Sequence, residues 1–187
     1  ITGMGKEVLL WSKDWFEEAG YDVLYGDTDS LFVRSGAHDA ETARSEAQRL
    51  ASALNADLAR HVAANWGVES RLELEFEKLY LKLFLAHARG SARGASKRYA
   101  GMLRGGEQPQ VEFVGLEVVR RDWTALAKRV QRELYRRLFV GEPVAAYLAE
   151  IVRELRGGDL DDELVYRKNL RKAAEEYTAS TPPHVAA

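Results

Sequence analysis

The chain contains no cysteine among its 187 residues, and this absence excludes several kinds of protein. Without cysteine there is no disulfide, no thiolate metal site and no cysteine nucleophile. No apolar run approaches the roughly 20 residues that a membrane-spanning helix needs. A signal peptide is not expected either, because Lys6 and Glu7 interrupt the first apolar residues. We therefore expect an intracellular, cytoplasmic protein that has no membrane partner.

A large net charge is also missing, since the chain as a whole carries a formal charge of -2. Its distribution is uneven. Residues 1–81 hold 8 Lys and Arg against 15 Asp and Glu, residues 82–137 hold 13 against 5, and residues 138–187 hold 6 against 9. An acidic part followed by a basic part is expected where one segment holds a metal ion and the next a phosphate backbone. A solvated surface produces the same asymmetry, so both interpretations stay open.

The most informative stretch is Tyr25-Gly26-Asp27-Thr28-Asp29-Ser30. Short runs of β-forming residues flank it, and a Gly-Asp pair between such runs predicts a hairpin because both residues tolerate positive φ. Carboxylates two residues apart can project to one side, where they repel each other unless a cation lies between them. Mg2+ takes one or two protein carboxylates and completes its shell with water and phosphate. A metal site at Asp27 and Asp29 is predicted, with a solvated hairpin tip as the alternative.

Hydrophobic periodicity predicts helices on both sides of this hairpin. One covers residues 4–19, and a longer one runs from His38 or Asp39 to about Trp66, with an apolar line at Leu50, Leu54, Leu58 and Val62. Further helices are predicted after Asp122 as N-cap, from Glu142-Pro143 to Gly157-Gly158, and over residues 159–177. The apolar stripe of the helix after Asp122 is predicted to comprise Trp123, Leu126, Ala127, Val130, Leu134 and Leu138.

Strict alternation from Arg71 predicts a half-buried strand within residues 71–86. Its inward side chains would be Leu72, Leu74 and Phe76, and its outward ones Glu73, Glu75 and Glu77. We predict a flexible basic loop over residues 87–96, a turn at residues 105–107 and a further strand over residues 111–116.

A cationic stripe is predicted on the helix after Asp122. Lys128, Arg132 and Arg136 follow one another at four-residue intervals, which places them on one face. Like charges at this spacing repel by a few tenths of a kcal/mol per pair, so an external anion such as a sugar-phosphate strand would stabilise the face. A solvated helix face is the alternative.

Three separated motifs resemble those of family B DNA polymerases. Residues 25–30 are similar to the family's third conserved motif, which lies on a hairpin of the palm domain. Ser96-Lys97-Arg98-Tyr99-Ala100-Gly101 resembles the Lys-Lys-Arg-Tyr-Ala-Gly motif, with Ser96 in place of the first Lys. Residues 115–123 resemble the junction between palm and thumb. Residues 165–168 and 182–185 also resemble the thumb of the family's bacterial polymerase II branch.

The resemblance implies an α+β fold in two parts. Residues 1–120 would form the C-terminal part of a palm, an antiparallel sheet with covering helices. Residues 121–187 would form an all-helical thumb that is incomplete at its C-terminus. The protein would act in the bacterial cytoplasm, in association with the nucleoid.

The resemblance also implies a reaction, which is template-directed addition of deoxynucleotides to a primer 3′ end with two Mg2+ ions. Asp27 and Asp29 would be the catalytic metal ligands, with Asp29 the closer, and Glu75 and Glu77 would be auxiliary carboxylates. Lys97 and Tyr99 would contact the minor groove, whose acceptors are similar in all correct base pairs. The full set of expected DNA-binding residues is Lys97, Arg98, Tyr99, Arg120, Arg121, Lys128, Arg132 and Arg136.

Two of the family's motifs are missing from the sequence: the one that supplies the other metal-binding Asp, and the fingers helix that binds the incoming nucleotide. Both precede the hairpin in the family. We therefore expect a fragment that is inactive alone and carries half of the metal ligands of a complete polymerase. Partners of the parent would be primer-template DNA, deoxynucleoside triphosphates and, as a further candidate, a sliding clamp. The alternative function is a non-catalytic DNA-binding or scaffold module that retains the fold.

Overall fold

The computed structural model describes residues 2–87, 94–104 and 110–166. Its elements are α1 (Thr2–Glu18), β1 (Val23–Asp27), β2 (Ser30–Val33), α2 (Ala40–Trp66), β3 (Tyr80–His87), β4 (Gly94–Leu103), β5 (Gln110–Val114), α3 (Ala125–Val140) and α4 (Ala145–Gly157), with short 3-10 helices at Glu117–Val119 and Asp161–Leu164. The predicted α+β class is confirmed. No helix in the described part of the chain has both the length and the apolar character needed to cross a membrane.

The chain divides into two compact units. The first comprises Ile1–Leu81 and Leu85–Lys97, and the second comprises Lys82–Phe84 and Arg98–Ala187. One two-stranded antiparallel sheet is formed by β1 and β2. A three-stranded sheet has the order β3-β4-β5, in which β4 and β5 are antiparallel.

In the first unit, α2 has the boundaries that its sequence predicts. The Asp39 carboxylate accepts hydrogen bonds from the backbone N–H groups of Glu41 and Thr42, at 3.0 and 2.9 Å, and so caps the helix. Gly67 ends it with a φ of +65°, a conformation that favours glycine. The predicted apolar line is confirmed, because Leu50, Leu54, Leu58 and Val62 are all buried.

The hairpin of β1 and β2 packs on the two long helices of this unit. Val23, Leu31 and Val33 lie against a cluster of buried side chains that comprises Phe16, Leu50 and Leu54. Burying one such side chain stabilises a fold by roughly 1.5–3 kcal/mol, so this contact holds the base of the hairpin firmly.

The segment before β3 differs from the prediction. Residues 69–79 form no strand, and β3 begins only at Tyr80. Leu74 and Phe76 are half-buried and the three glutamates are exposed, as the alternation predicts, but Leu72 is 53% exposed. The backbone of Leu74 is bonded to a side chain instead of a neighbouring strand: its N–H donates to Asn55 Oδ1 at 2.8 Å and its carbonyl accepts from Asn55 Nδ2 at 2.9 Å. One amide thus takes the place of a strand partner.

We expect Asn55→Ala to lower the free energy of unfolding by about 1–2 kcal/mol, because it removes both partners of the Leu74 backbone. Urea unfolding monitored by tryptophan fluorescence measures this change. Asn65→Ala is the matched control, since Asn65 is an exposed amide of the same helix that bonds only to His61, one turn away, within the described residues. An equal effect of both substitutions would contradict the assigned role of Asn55.

The second unit corrects three predicted details. The N-cap of α3 is Thr124, whose Oγ1 accepts from the Ala127 N–H at 3.2 Å, while Asp122 bonds to Arg120. Trp123 and Leu138 are 39% and 53% exposed, and the buried side chains are Leu126, Tyr135 and Phe139. The aromatic rings decide the buried face, because Tyr135 lies edge-on to both Phe84 and Phe113.

Helix α4 begins at Ala145 rather than at Glu142-Pro143. The residues before it form the connection from α3 to α4, which two hydrogen bonds hold. Arg137 Nη1 donates to the Pro143 carbonyl at 3.1 Å, and the Glu142 N–H donates to the Arg137 carbonyl at 2.9 Å. The end of α4 is as predicted, with Gly158 at a φ of +84°. Ile151 packs against Leu126 and Leu160, which joins α4 to α3.

The remaining predictions are met in part. The strand predicted over residues 111–116 is β5, which stops at Val114 because Gly115 turns the chain with a φ of +63°. Residues 94–96 of the predicted basic loop belong to β4 instead. Residues 88–93, the predicted turn at 105–107 and the helix predicted beyond residue 166 lie outside the described residues. Within the predicted region 159–177, the described part contains the 3-10 helix Asp161–Leu164.

Candidate functional site

The two predicted metal-binding carboxylates lie at the tip of the β1–β2 hairpin. Asp27 is the last residue of β1 and pairs with Ser30, and the two-residue turn between them is Thr28-Asp29. The turn thus lies two residues beyond the predicted Gly-Asp pair, and neither Thr28 nor Asp29 has a positive φ. Gly26 is needed for a different reason: a Cβ added there would lie 3.0 Å from Leu31 Cδ2 on the opposite strand.

The two carboxylates have different environments. Asp27 is half-buried, accepts a hydrogen bond from Thr28 Oγ1 at 3.0 Å and lies 3.8 Å from the Lys97 ammonium nitrogen. Asp29 is exposed, and its side chain makes no hydrogen bond or ion pair to another residue in the described ranges. Asp29 is therefore the more accessible of the two to a cation from solution.

Lys97 connects the two predicted motifs within the first unit. Besides the ion pair with Asp27, its backbone N–H donates to the Tyr25 hydroxyl at 2.7 Å. Its φ is +56°, in the left-handed region, which no other non-glycine residue of the described segments adopts. Non-glycine residues in this region are uncommon and concentrate at functional sites. The Tyr25 hydrogen bond compensates part of the conformational cost.

Aromatic rings fix the position of Tyr25. Its ring centroid is 5.4 Å from that of Phe32, its partner on β2, and the Phe32 ring is stacked on Tyr80 at 5.9 Å. Aromatic pairs of this kind add roughly 0.5–1.5 kcal/mol each beyond their area burial. The hydroxyl that bonds to Lys97 is therefore held on a rigid support.

The oxygen atoms of the hairpin tip fit a hard divalent cation. Mg2+ is bound in proteins through one or two carboxylates, with water and substrate phosphates as the other ligands. Asp27 and Asp29 supply that number, and the turn carries no nitrogen or sulfur side chain that would favour a softer metal. No three Asp, Glu or His side chains in the described ranges gather into a metal-binding group, so neither Glu75 nor Glu77 completes one with the two aspartates. Their auxiliary role stays a prediction.

Three of the predicted DNA-binding arginines, Arg98, Arg120 and Arg136, are bonded to carboxylates of their own unit. Arg98 bonds to Glu117, and Arg120 binds Asp122 through two nitrogens, at 3.0 and 2.6 Å. These bonds raise the pKa of Arg120 above its ordinary value. Arg121 is exposed and has no ion pair to any residue in the described segments.

The predicted cationic stripe on α3 is partly neutralised. Arg136 donates to Glu133 at 2.8 and 2.9 Å and to Glu142 at 2.7 Å. The hydrogen bonds from Arg136, followed by those from Arg137, lower the pKa of Glu133 to about 2. Lys128 is half-buried and Arg132 exposed, and neither has an ion pair to another described residue. The case for an external anion on this helix therefore rests on Lys128 and Arg132.

Comparison with known proteins identifies the family. The family model for DNA polymerase family B matches residues 4–187, nearly the whole chain. The chain belongs to the family B DNA polymerases. It is 43% identical over its full length to DNA polymerase II of Escherichia coli, of which it covers 24%. It is 30% identical to the DNA polymerase alpha catalytic subunit of Sterkiella nova and 29% to a DNA polymerase of Thermococcus kodakarensis, again over its full length, and covers 12% and 10% of these proteins.

The chain thus spans about a quarter or less of the length of these family B relatives. The motif resemblance stated above is confirmed at the level of the family. The bacterial polymerase II branch is supported by the 43% identity to the Escherichia coli protein.

Sequence reasoning missed the roles of four residues of this family B segment, three of them because their contacts are non-local. The contact of Tyr25 with Lys97 joins positions 72 residues apart, and no local pattern predicts it. Gln131 and Glu117 form a network around Arg98 that is likewise non-local. The pairing of Glu133 with Arg136 and Arg137, in contrast, follows from their spacing of three and four residues on a helix and was available from the sequence.

Proposed function

We propose that this chain is the palm and thumb segment of a DNA-directed DNA polymerase, which adds deoxynucleotides to a primer 3′ end on a DNA template. Residues 1–120 would be the palm portion and residues 121–187 the thumb. The observation that carries the proposal is the hairpin tip, which presents an accessible Asp29 beside an Asp27 that is already paired to Lys97. The family membership supports the same conclusion.

The proposed role of Asp27 and Asp29 is to hold divalent cations at the primer terminus. Bound Mg2+ would stabilise the negative charge on the attacking and leaving oxygens of phosphoryl transfer. Asp29, exposed in the turn, and Asp27, once released from Lys97, would be the two carboxylates that hold the cations. Tyr25 would keep the Lys97 backbone in place while the ammonium moves from Asp27 toward the duplex.

Lys97 and Tyr99 would contact the minor-groove edge of the newly formed base pairs, and Arg121, Lys128 and Arg132 would neutralise backbone phosphates. Primer-template DNA and deoxynucleoside triphosphates are the proposed partners, and a bacterial cytoplasm, in association with the nucleoid, is the proposed location. A sliding clamp stays a further candidate partner. We also propose that Asp27 and Asp29 are half of the metal ligands of a complete polymerase, so that the chain alone does not extend a primer.

A segment exchange tests the proposal. We expect extension of a primed template by Escherichia coli DNA polymerase II in which this chain replaces the matching region, and none when the exchanged segment carries Asp27→Ala and Asp29→Ala. The isolated 187-residue chain should show no extension above that of its own double variant.

Primer extension by the isolated chain would refute the proposal that it carries only half of the metal ligands. An exchanged polymerase that binds primer-template but extends it no better than the double variant would favour the non-catalytic scaffold instead.

A further inference from the structure

Arg98 lies in a network that joins three elements of the second unit. Its guanidinium bonds to Oε1 of Glu117, the first residue of the 3-10 helix. The other carboxylate oxygen of Glu117 accepts from Gln131 Nε2 on α3 at 2.9 Å. Gln131 Oε1 in turn accepts from the Val118 N–H at 2.7 Å. β4, the 3-10 helix and α3 are therefore tied together through three side chains.

The network is built on the core of that unit. Val118 and Leu116, on either side of Glu117, are buried in a cluster with Ala100, Tyr135 and Phe139. The Gln131 hydrogen bond, then the backbone N–H of Glu117 itself and then the Arg98 guanidinium hold the pKa of Glu117 below its ordinary value, so the carboxylate is charged at neutral pH. The Arg98 Nε is buried and has no hydrogen-bond partner in the described residues. A guanidinium held in this way cannot reach a phosphate without leaving the mostly buried Glu117 charge unpaired.

Tyr99 is the next residue along β4. Side chains of a strand alternate between its two faces, so a fixed Arg98 on one face orients Tyr99 on the other. Tyr99 is also the first residue of the ladder between β4 and β5, where it pairs with Val114. Arg98 precedes this end of the ladder by one residue, and its network ties β4 to the 3-10 helix Glu117–Val119 and to α3 there.

We propose that Arg98 is a positioning residue for duplex recognition, held by Glu117 and Gln131 so that it presents Tyr99 to the DNA, rather than a phosphate ligand. This inference rests on the proposed function. It replaces the direct DNA contact expected for Arg98 and adds Glu117 and Gln131, which carry no such role in the predicted set.

The test compares Arg98→Gln and Glu117→Gln in the full chain. The probes are a duplex with a recessed primer terminus and a blunt duplex of equal length, each bound with Mg2+ present over a range of salt concentrations. We expect both substitutions to lower the preference for the primer terminus by roughly threefold or more, because each leaves its partner unpaired. We also expect the slope of log affinity against log salt to stay unchanged.

The sign of the Glu117→Gln effect is decisive, because removing a negative charge would strengthen DNA binding if charge alone mattered. A phosphate ligand at Arg98 predicts the opposite pattern: Arg98→Gln would lower the salt slope by about 0.9, and Glu117→Gln would bind better. In a Tyr99→Ala background, Arg98→Gln should have no further effect on the preference. An additional loss in that background would overturn the proposal.

Arg129→Gln is the matched control, since it breaks an equally direct pair between Arg129 and Glu163 in the same unit. It should leave the preference for the primer terminus unchanged. An equal loss of preference in the Arg129 variant would mean that the Arg98 effect comes only from a general loss of stability. Arg98→Lys keeps the charge and provides a second variant if Arg98→Gln does not fold. It should still lose part of the preference, whereas full retention would contradict positioning by the guanidinium fork. If the unaltered chain bound neither duplex, the proposed function itself would fail.

Discussion

Asp29→Ala is expected to abolish primer extension in the complete reading frame that encodes this chain, while primer-template binding is largely retained. The exposed Asp29 side chain makes no hydrogen bond or ion pair to another residue in the described part of the chain, so its removal disturbs no internal contact there. It does remove one of two carboxylates at the hairpin tip. Loss of several kcal/mol of transition-state charge stabilisation lowers a rate by roughly a thousandfold or more.

The measurement is the single-turnover rate of nucleotide addition, with the affinity for primer-template determined in parallel. Asp22→Ala is the matched control, because Asp22 is an exposed aspartate at the base of the same hairpin that pairs with Arg34 at 3.4 Å. Its rate should match that of the unaltered protein. A normal extension rate in the Asp29 variant would remove Asp29 from the catalytic ligands.

The parts of the fold that were predicted correctly depend on local sequence. Helix α2 follows from an N-cap at Asp39, a terminating Gly67 and four apolar residues at intervals of four, all within one continuous segment. Residues 71–79 of the predicted strand 71–86 form no strand, because a pattern of alternation shows only which side chains are buried. Whether a strand forms depends on a partner, and here the backbone of Leu74 bonds to Asn55, 19 residues away.

The candidate site shows the same division between local and distant information. Asp27 and Asp29 are recognisable because both lie within one hexapeptide, although the turn itself lies at Thr28-Asp29. Lys97 was predicted from its own motif, yet its bond to Tyr25 depends on how β4 meets the hairpin. The partner of Arg136 at Glu142 likewise requires the connection after α3, which helical periodicity does not describe.

We expect the affinity of the isolated chain for duplex DNA to fall by about two decades between 50 and 200 mM salt. This assumes that three to four phosphates are neutralised, each of which steepens the slope of log affinity against log salt by about 0.9. Arg121, Lys128 and Arg132 are expected to neutralise phosphates, and the charge of Lys97 in the minor groove adds to the slope. Mg2+ must be present, since residues 1–81 hold 8 Lys and Arg against 15 Asp and Glu and repel DNA without it. A titration by fluorescence anisotropy measures the slope.

Two double variants on α3 separate binding residues from internal ion pairs. Lys128→Gln with Arg132→Gln should flatten the slope by up to about two units, since neither side chain has an ion pair to another described residue. Glu133→Gln with Arg136→Gln removes one charge of each sign from an existing pair on the same helix and should leave the slope as it was. An unchanged slope in the Lys128 and Arg132 variant would mean that this face of α3 is solvated and takes no part in holding DNA. Equal flattening in both variants would instead mean that Arg136 leaves Glu133 and Glu142 for phosphate when the duplex binds.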